Sequence, residues 1–235
     1  MQLSVRELAT ALKVSERAIY QWIKQGSLRA HQVNGQHRFN RSELVEWATA
    51  QRRDLPPELL HNGDDDGLVA GIPEAIEAGG IFRNISGDDK EAVLRAMVNT
   101  IRLPDGTDRE LLFRVLLARE ALGSTGIGDG LAIPHPRNPI VLNVERPMVA
   151  VCLLAKPAEF GSLDGQPVHT LFSLISPTVR DHLHLLSRLA YALKDSAFNA
   201  AIVHRKADKD ILKAARRMEA NLKRPLDQTA GRPRR

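Results

Sequence analysis

The stretch AREALGSTGIGDGLAIPHPR, residues 118–137, joins a helical pattern to a glycine-rich loop and ends near a histidine held between two prolines. The loop is neither a Walker phosphate loop nor a dinucleotide fingerprint, because it lacks G-K-[ST] and spaces three of its glycines as GxGxG. Pro136 disfavours helical geometry at His135, and Pro134 removes a backbone donor just before it. The sequence therefore predicts that a stiff, extended segment presents the imidazole of His135.

Helical and strand patterns alternate on both sides of this loop. Apolar residues recur with helical spacing over 89–101, 108–122 and 178–193, and continuous apolar runs over 146–155 and 169–175 are of the buried-strand type. This alternation predicts an α/β sandwich, with helices covering a mixed sheet, from residue 68 to residue 222.

Two polar side chains continue apolar helix faces in this region. Arg119 follows the stripe formed by Leu111, Leu112, Val115 and Leu116, and His182 joins a stripe that runs on through Leu186. His184 falls on the polar face of the same helix. An inward guanidinium either reaches solvent or meets an anion, and a lone inward histidine is more often a satisfied core residue than a functional one. The residues alone leave these alternatives open.

The first fifty residues predict a compact helical unit. Ser4 with Glu7, Ser15, and Asn40 with Glu43 are helix-capping signals for three short helices that reach residues 12, 26 and 50. Only two residues separate the first helix from the second cap, which is typical of a helix-turn-helix. A hairpin is predicted between the second and third helices, because Asn34-Gly35 suits a two-residue turn.

The polar face of this unit has the chemistry of a nucleic-acid contact. The predicted DNA-contacting residues are four on the second helix and three on the hairpin: Arg17, Tyr20, Gln21, Lys24, Arg29, His37 and Arg38. Residues 3–47, LSVRELATALKVSERAIYQWIKQGSLRAHQVNGQHRFNRSELVEW, resemble the excisionase and MerR-like winged helix-turn-helix family. The resemblance implies that the second helix enters a major groove of double-stranded DNA while the wing flanks it. The alternative is a solvated basic face on a unit that binds protein.

The charge distribution agrees with a polyanion partner at the ends of the chain. The net charge is +5, and residues 1–54 carry nine Lys and Arg against five Asp and Glu, while residues 221–235 carry five against one, so the middle is mildly acidic. The predicted organisation is a helix-turn-helix domain at 1–51, a flexible linker at 52–67, the α/β domain at 68–222 and a basic, disordered tail at 223–235.

Composition restricts the cellular setting. No stretch approaches the eighteen or so consecutive apolar residues that a membrane span needs, and no secretory signal opens the chain. The single cysteine, Cys152, lies in an apolar run and has no partner for an internal disulfide. We therefore expect a cytoplasmic protein in a reducing compartment.

Three segments together resemble the enzyme IIA family of the bacterial sugar phosphotransferase system, in its fructose, mannitol and nitrogen-regulatory class. They are AREALGSTGIGDGLAIPHPR at 118–137, FGSLDGQPVHTLFSLISP at 160–177 and HLHLLSRLA at 182–190. The resemblance implies a phosphocarrier in which His135 is the phosphorylated histidine and Arg119 and His182 complete the pocket.

The resemblance assigns each of these residues a role in phosphoryl transfer. A neutral imidazole at His135 attacks a phosphoryl group that arrives from a histidine phosphocarrier protein. Arg119 neutralises charge on the phosphoryl oxygens, and His182 donates a hydrogen bond to the group or orients His135. Ser124 and Thr125, with loop N–H groups, are weaker candidates for phosphate binding. No metal ion and no cofactor are needed.

Two positions depart from the family pattern. The family usually continues PHGK where this chain has PHPR, so Pro136 is atypical, and it often has Asn where Asp129 stands. An additional carboxylate at Asp129 either lowers the affinity for phosphate or points away from the site.

The leading hypothesis is a phosphorylation-dependent cytoplasmic regulator, a phosphotransferase-system component rather than a metabolic enzyme, in which phosphorylation of His135 is coupled to DNA binding. The alternative is a sugar-system IIA component that passes phosphate to a IIB domain, and a IIB or regulatory protein is a further candidate partner in either case. A third is a DNA-binding protein whose IIA-like domain has lost phosphotransfer. A zinc site on His135, His182 and His184 is disfavoured, because helical i, i+2 side chains diverge.

Overall fold

The computed structural model describes residues 2–33, 35–51, 53, 70–136, 144–162 and 164–222. Most of the predicted linker at 52–67 and all of the predicted tail at 223–235 lie outside the described residues, as do Asn34 and Arg137.

The N-terminal unit is a winged helix-turn-helix. Its elements, in chain order, are β1 (Gln2–Ser4), α1 (Val5–Ala11), α2 (Glu16–Lys24), β2 (His31–Val33), β3 (Gln36–Asn40) and α3 (Arg41–Ala50). Ser4 and Glu7 form the expected capping box, and the Ser15 hydroxyl accepts the N–H of Ala18 at 3.3 Å. Helix α2 ends two residues earlier than Gly26, the predicted end, with Gln25 as its C-cap.

The wing contains one strand more than the sequence predicts. Strands β2 and β3 form the expected antiparallel hairpin, with Val33 opposite Gln36. Strand β1 adds to the other side of β3, giving the order β1-β3-β2. A three-residue strand that merges directly into a capped helix shows too little alternation to be recognised from its sequence.

The larger unit is the predicted α/β sandwich with a mixed sheet. Its elements are α4 (Ile72–Gly79), β4 (Ile81–Ile85), α5 (Lys90–Thr100), α6 (Arg109–Ala121), β5 (Gly126–Gly128), β6 (Leu131–Ala132), β7 (Met148–Ala158), β8 (Val168–Ile175), α7 (Val179–Ala192), α8 (Ser196–Val203) and α9 (Asp208–Leu222). The sheet order is β4-β7-β8-β6-β5. The pairs β4/β7 and β6/β8 are parallel, and β7/β8 and β5/β6 are antiparallel.

Helices cover both faces of this sheet. Along β7, Val149 and Val151 belong to the apolar cluster under α4, α7, α8 and α9, whereas Ala150, Cys152 and Leu154 belong to the cluster under α5 and α6. This alternation follows from the two-residue period of a strand. Burial of Cys152 in a central strand is confirmed, and desolvation raises the pKa of its thiol to about 12.

The predicted core stripe of α6 is wrong at one position. Leu111 is 51% exposed, and the buried residues of the helix are Leu112, Phe113, Leu116 and Glu120. The helix is rotated relative to the predicted stripe because Phe113, rather than Leu111, packs into the cluster under the sheet. The rotation brings a carboxylate, which the stripe prediction did not include, to the buried face.

Candidate functional site

His135 lies three residues beyond the carboxyl end of β6, which is flanked in the sheet by β8 and β5. The chain is held there by the bond from the Ile133 N–H to the Thr125 carbonyl, 3.0 Å long. The His135 side chain is buried, with 5% exposure, and its Nδ1 lies 2.6 Å from the carbonyl oxygen of Ile133. A carbonyl oxygen only accepts, so Nδ1 is the donor and carries the ring proton. The lone pair of the neutral imidazole is therefore on Nε2.

His182 lies beside it, in the first turn of α7. Thr178 caps this helix, its hydroxyl accepts the N–H of Asp181 at 3.1 Å, and the N–H of His182 bonds to the Thr178 carbonyl. The ring of His182 is 3% exposed, and its centroid is 5.5 Å from that of His135. The structure thus brings together two histidines that are 47 positions apart in the chain.

His184 is separate from this pair. Its Nε2 lies 3.4 Å from Nη1 of Arg188, on a half-buried part of α7. Among the residues that the structure describes, no group of three or more His, Cys, Asp or Glu side chains is placed to hold a metal ion.

Arg119 is half-buried in the last turn of α6. Its Nη1 donates to the carbonyl of Gly123 at 3.0 Å, which fixes the start of the glycine-rich loop. Ser124 follows directly, and its hydroxyl accepts the N–H of Gly126 at 3.0 Å. Arg119 and Ser124 line one groove of about 250 Å³.

Glu120, the next residue of α6, holds the glycine-rich loop through hydrogen bonds to Thr125. One carboxylate oxygen accepts the Thr125 hydroxyl at 2.5 Å, and both oxygens accept the Thr125 N–H at 3.1 and 3.2 Å. Lys90 approaches the same carboxylate at 3.3 Å and also donates to the Phe160 carbonyl at 3.0 Å. The Glu120 side chain is 2% exposed, so this is a buried, charge-assisted network.

This network changes the expectation for Thr125. The residue was expected to hold phosphate through its hydroxyl and N–H, and the structure places both donors on Glu120. Because a hydroxyl has one proton to donate, Thr125 in this arrangement fixes the loop rather than contacting a phosphoryl group.

The glycines of the loop make room for protein groups. Gly130 has a φ of +69°, and a Cβ there would lie 2.3 Å from the ring of His169. A Cβ on Gly126 would lie 2.2 Å from the Ser162 hydroxyl. Burial lowers the pKa of His169, and the charge of Arg205 lowers it further, so the neutral ring packs against the turn at Gly130.

The two departures from the family pattern are both accommodated. Asp129 adopts a left-handed φ of 53°, which Asp tolerates better than most residues, and its N–H donates to the Asp164 carboxylate at 2.8 Å. Asp129 lines a groove with Lys194 and Arg53, and Arg119 lines the other groove. Pro136 is buried.

The predicted DNA-contacting residues fall on one exposed side of α2 and on the wing. Arg17, Tyr20, Gln21, Lys24 and Arg29 are exposed, and His37 and Arg38 are half-buried. The ring of Tyr20 meets that of His37 edge-on, with centroids 5.9 Å apart, which ties α2 to the wing. Arg38 donates to the Gln36 side chain at 2.9 Å.

Among the described helices, none has both the length and the apolar character that a membrane span requires.

Sequence reasoning missed Glu120 and Lys90. The signal for Glu120 was present, because Leu112, Leu116 and Glu120 recur every four residues on α6. Lys90 reaches the site from α5 and carries no local signal. The proton-fixing role of the Ile133 carbonyl depends on loop geometry and has no sequence signature.

The fold and the site define a IIA-type unit that follows a helix-turn-helix domain. The model of the phosphoenolpyruvate-dependent sugar phosphotransferase system EIIA 2 family matches residues 74–217, and a helix-turn-helix domain model matches residues 3–52. The chain belongs to the EIIA type 2 family and carries an N-terminal helix-turn-helix domain.

Relatives and solved structures agree with this assignment. The nitrogen regulatory protein of Pseudomonas aeruginosa is 38% identical over 126 residues, which are 52% of this chain and 79% of that protein. The fructose-specific EIIABC component of Bacillus subtilis is 35% identical over 125 residues, which are 52% of this chain and 19% of that protein. The crystal structure of nitrogen regulatory protein IIA-Ntr from Neisseria meningitidis superimposes with a TM-score of 0.50 at 26% identity, covering 57% of this chain and 92% of that one.

Proposed function

We propose that this chain is a phosphorylation-dependent DNA-binding regulator. His135 accepts a phosphoryl group from a histidine phosphocarrier protein, and its phosphorylation state changes the occupancy of DNA by the helix-turn-helix domain. The observation that carries the proposal is the bond between His135 Nδ1 and the Ile133 carbonyl, because it puts the nucleophilic lone pair on Nε2. Similarity to nitrogen regulatory proteins supports a regulatory role over a purely metabolic one.

The transfer needs only the groups of the two proteins. The N–P bond of the donor phosphohistidine breaks and its electron pair returns to the donor imidazole, while the lone pair of His135 Nε2 forms the new N–P bond. The proton stays on Nδ1 and remains hydrogen-bonded to the Ile133 carbonyl throughout. The positive charge that develops on the His135 ring is stabilised by that bond.

The neighbouring side chains supply charge and orientation. Arg119 offsets the negative charge on the phosphoryl oxygens, and Ser124 lies at the same groove as a weaker phosphate contact. His182, whose centroid is 5.5 Å from that of His135, donates a hydrogen bond to the phosphoryl group. Glu120 and Lys90 hold the loop and make no contact with the reacting atoms in this mechanism.

The DNA side of the proposal rests on the exposed face of α2. Arg17, Tyr20, Gln21 and Lys24 enter the major groove, and Arg29, His37 and Arg38 flank it from the wing. The motif and the basic N-terminal charge support double-stranded DNA as the partner.

The test combines labelling with DNA binding. The full chain is incubated with phosphoenolpyruvate, enzyme I and a histidine phosphocarrier, and acid-labile phosphate is measured on the wild type, on His135→Ala and on His184→Ala as a matched histidine control. Label on the wild type and His184→Ala but not on His135→Ala is expected. Label retained by His135→Ala contradicts the site, and equal DNA occupancy by both phosphorylation states contradicts the coupling.

Similarity to the fructose-specific EIIABC component favours a second candidate, a IIA component that donates to a IIB domain. Phosphate transfer from the labelled chain to a sugar-specific IIB protein, with no change in DNA occupancy, is the outcome that this candidate predicts.

A further inference from the structure

Helix α3 of the helix-turn-helix domain is buried on two sides. Leu44, Trp47 and Ala48 pack in the apolar core of that domain. Val45, 1% exposed, belongs instead to the core cluster of the α/β unit, together with Ile127. Helix α3 accordingly contacts α7, which carries His182, and β5, which lies within the glycine-rich loop. The two domains therefore share a packed contact in spite of the long segment that joins them.

Two grooves run along this contact, which we call the interdomain seam. The first, about 250 Å³, has Arg29, Glu43 and Trp47 on one wall and Arg119, Gly123 and Ser124 on the other. The second, about 560 Å³, has Thr49 and Arg53 facing Asp129 and Lys194. The helix-turn-helix domain thus lies against Arg119 and Ser124, the two residues proposed above to contact the phosphoryl oxygens.

A protein phosphoryl donor must bind the same surface of the α/β unit. A donor histidine reaches a side chain that is 5% exposed only if the two protein surfaces pack closely around it. Specific protein complexes typically bury about 800 Å² on each partner. Helix α7, which carries His182 beside His135, and strand β5, which pairs with β6 just before His135, both contact α3.

We propose that this face of the α/β unit is the docking surface for the chain's own helix-turn-helix domain, and that the docked domain competes with the protein phosphoryl donor. The proposal rests on the function proposed above, because it specifies how the same site is regulated. Docking and donor binding then oppose each other, and linkage requires that a bound donor weaken docking by the same factor by which docking weakens donor binding.

One variant opens the seam in the full chain. Val45→Glu places a carboxylate in an apolar cluster of the α/β unit while leaving Leu44 and Trp47, which pack inside the helix-turn-helix core, unchanged. Leu111→Glu is the matched control, because it introduces the same charge at an apolar residue that is 51% exposed on α6. Phosphorylation by the histidine phosphocarrier is expected to be at least about fivefold faster in Val45→Glu and unchanged in Leu111→Glu.

A second variant closes the seam and guards against misfolding of the first. Gln51 and Leu122 line the same groove from opposite domains, so Gln51→Cys with Leu122→Cys can be joined by a bismaleimide, and native Cys152 is buried. The cross-linked chain is expected to accept phosphate from the carrier at least about fivefold more slowly than the same variant before cross-linking.

A small phosphoryl donor distinguishes the proposed competition from the proposed phosphorylation of His135. Phosphoramidate is small enough to enter without a docking surface, so it is expected to label His135 at similar rates in all forms. Equal rates with the protein carrier in the wild type, Val45→Glu and the cross-linked chain would overturn the competition and leave the proposed function intact. Failure of both the carrier and phosphoramidate to label His135 would overturn the proposed function itself, and this inference with it.

Discussion

Removal of the Glu120 carboxylate is the sharpest test of how the loop is held. In Glu120→Ala, the Thr125 N–H and hydroxyl lose their acceptor, and Lys90 loses its counter-charge at 3.3 Å. Each buried donor left unpaired costs about 1–3 kcal/mol, and the Lys90 ammonium, on a side chain that is 32% exposed, regains water and adds little to this loss. These contributions overlap, so we expect the free energy of unfolding to fall by about 3–5 kcal/mol.

The isosteric variant supplies the control. Glu120→Gln keeps one carbonyl oxygen as an acceptor and loses the charge, so a loss of about 1–2 kcal/mol is expected. In Glu120→Ala combined with Lys90→Met, the half-buried ammonium is removed as well, and the combined loss is expected to be smaller than the sum of the single losses.

The measurement is urea-induced unfolding followed by far-UV circular dichroism. Both tryptophans, Trp22 and Trp47, lie in the helix-turn-helix domain, so their fluorescence reports whether that domain unfolds in a separate transition. A loss below about 1 kcal/mol in Glu120→Ala would refute the reasoning, because it would mean that the carboxylate does not hold the loop.

Three further predictions follow from burial and charge. Burial raises the pKa of the Cys152 thiol to about 12, so the thiol is expected to resist an aromatic disulfide reagent at pH 8 in the native protein and to react fully in denaturant. A rapid reaction in the native protein would contradict its burial. Burial lowers the pKa of His169, so the unfolded chain binds more protons there and the free energy of unfolding falls as the pH drops below about 6.5. His169→Gln is expected to reduce this dependence of the unfolding free energy on pH between pH 7.5 and pH 5. An unchanged pH dependence would count against this explanation. Lys24→Ala is expected to weaken DNA binding and to reduce by about 1 the magnitude of the slope of the logarithm of the association constant against the logarithm of the salt concentration. The control Lys213→Ala, at an exposed residue of α9, is expected to leave this slope unchanged. Identical slopes for the two variants would remove Lys24 from the DNA interface.

The elements of this fold with strong local signals could be predicted from the sequence. Capping residues identified the starts of α1 and α2, helical spacing identified α6 and α7, and apolar runs identified β7 and β8. Strand β1 was missed because pairing with β3, rather than its own pattern, makes those three residues a strand. The buried stripe of α6 was misplaced because neighbouring leucines offer two overlapping stripes, and packing of Phe113 selects one.

The candidate site was predictable in its histidines and only partly in its supports. The apolar stripe predicts an inward His182, whereas its place beside His135 is implied by the resemblance to the enzyme IIA family. The engagement of Thr125 by Glu120 depends on how α6 is rotated, which the sequence leaves open. Glycine-rich loops commonly allow the backbone to approach a ligand closely, but at Gly126 and Gly130 the missing side chains make room for Ser162 and His169.

The central claim is that His135 accepts phosphate on Nε2, since Nδ1 is committed to the Ile133 carbonyl. The most direct measurement is phosphorus-31 and nitrogen-15 NMR of the full chain, labelled at histidine nitrogens and phosphorylated by phosphoenolpyruvate, enzyme I and the histidine phosphocarrier. A single phosphohistidine with phosphorus bonded to Nε2, lost in His135→Ala, is the predicted result. Phosphorus on Nδ1, on another residue or absent altogether would contradict it.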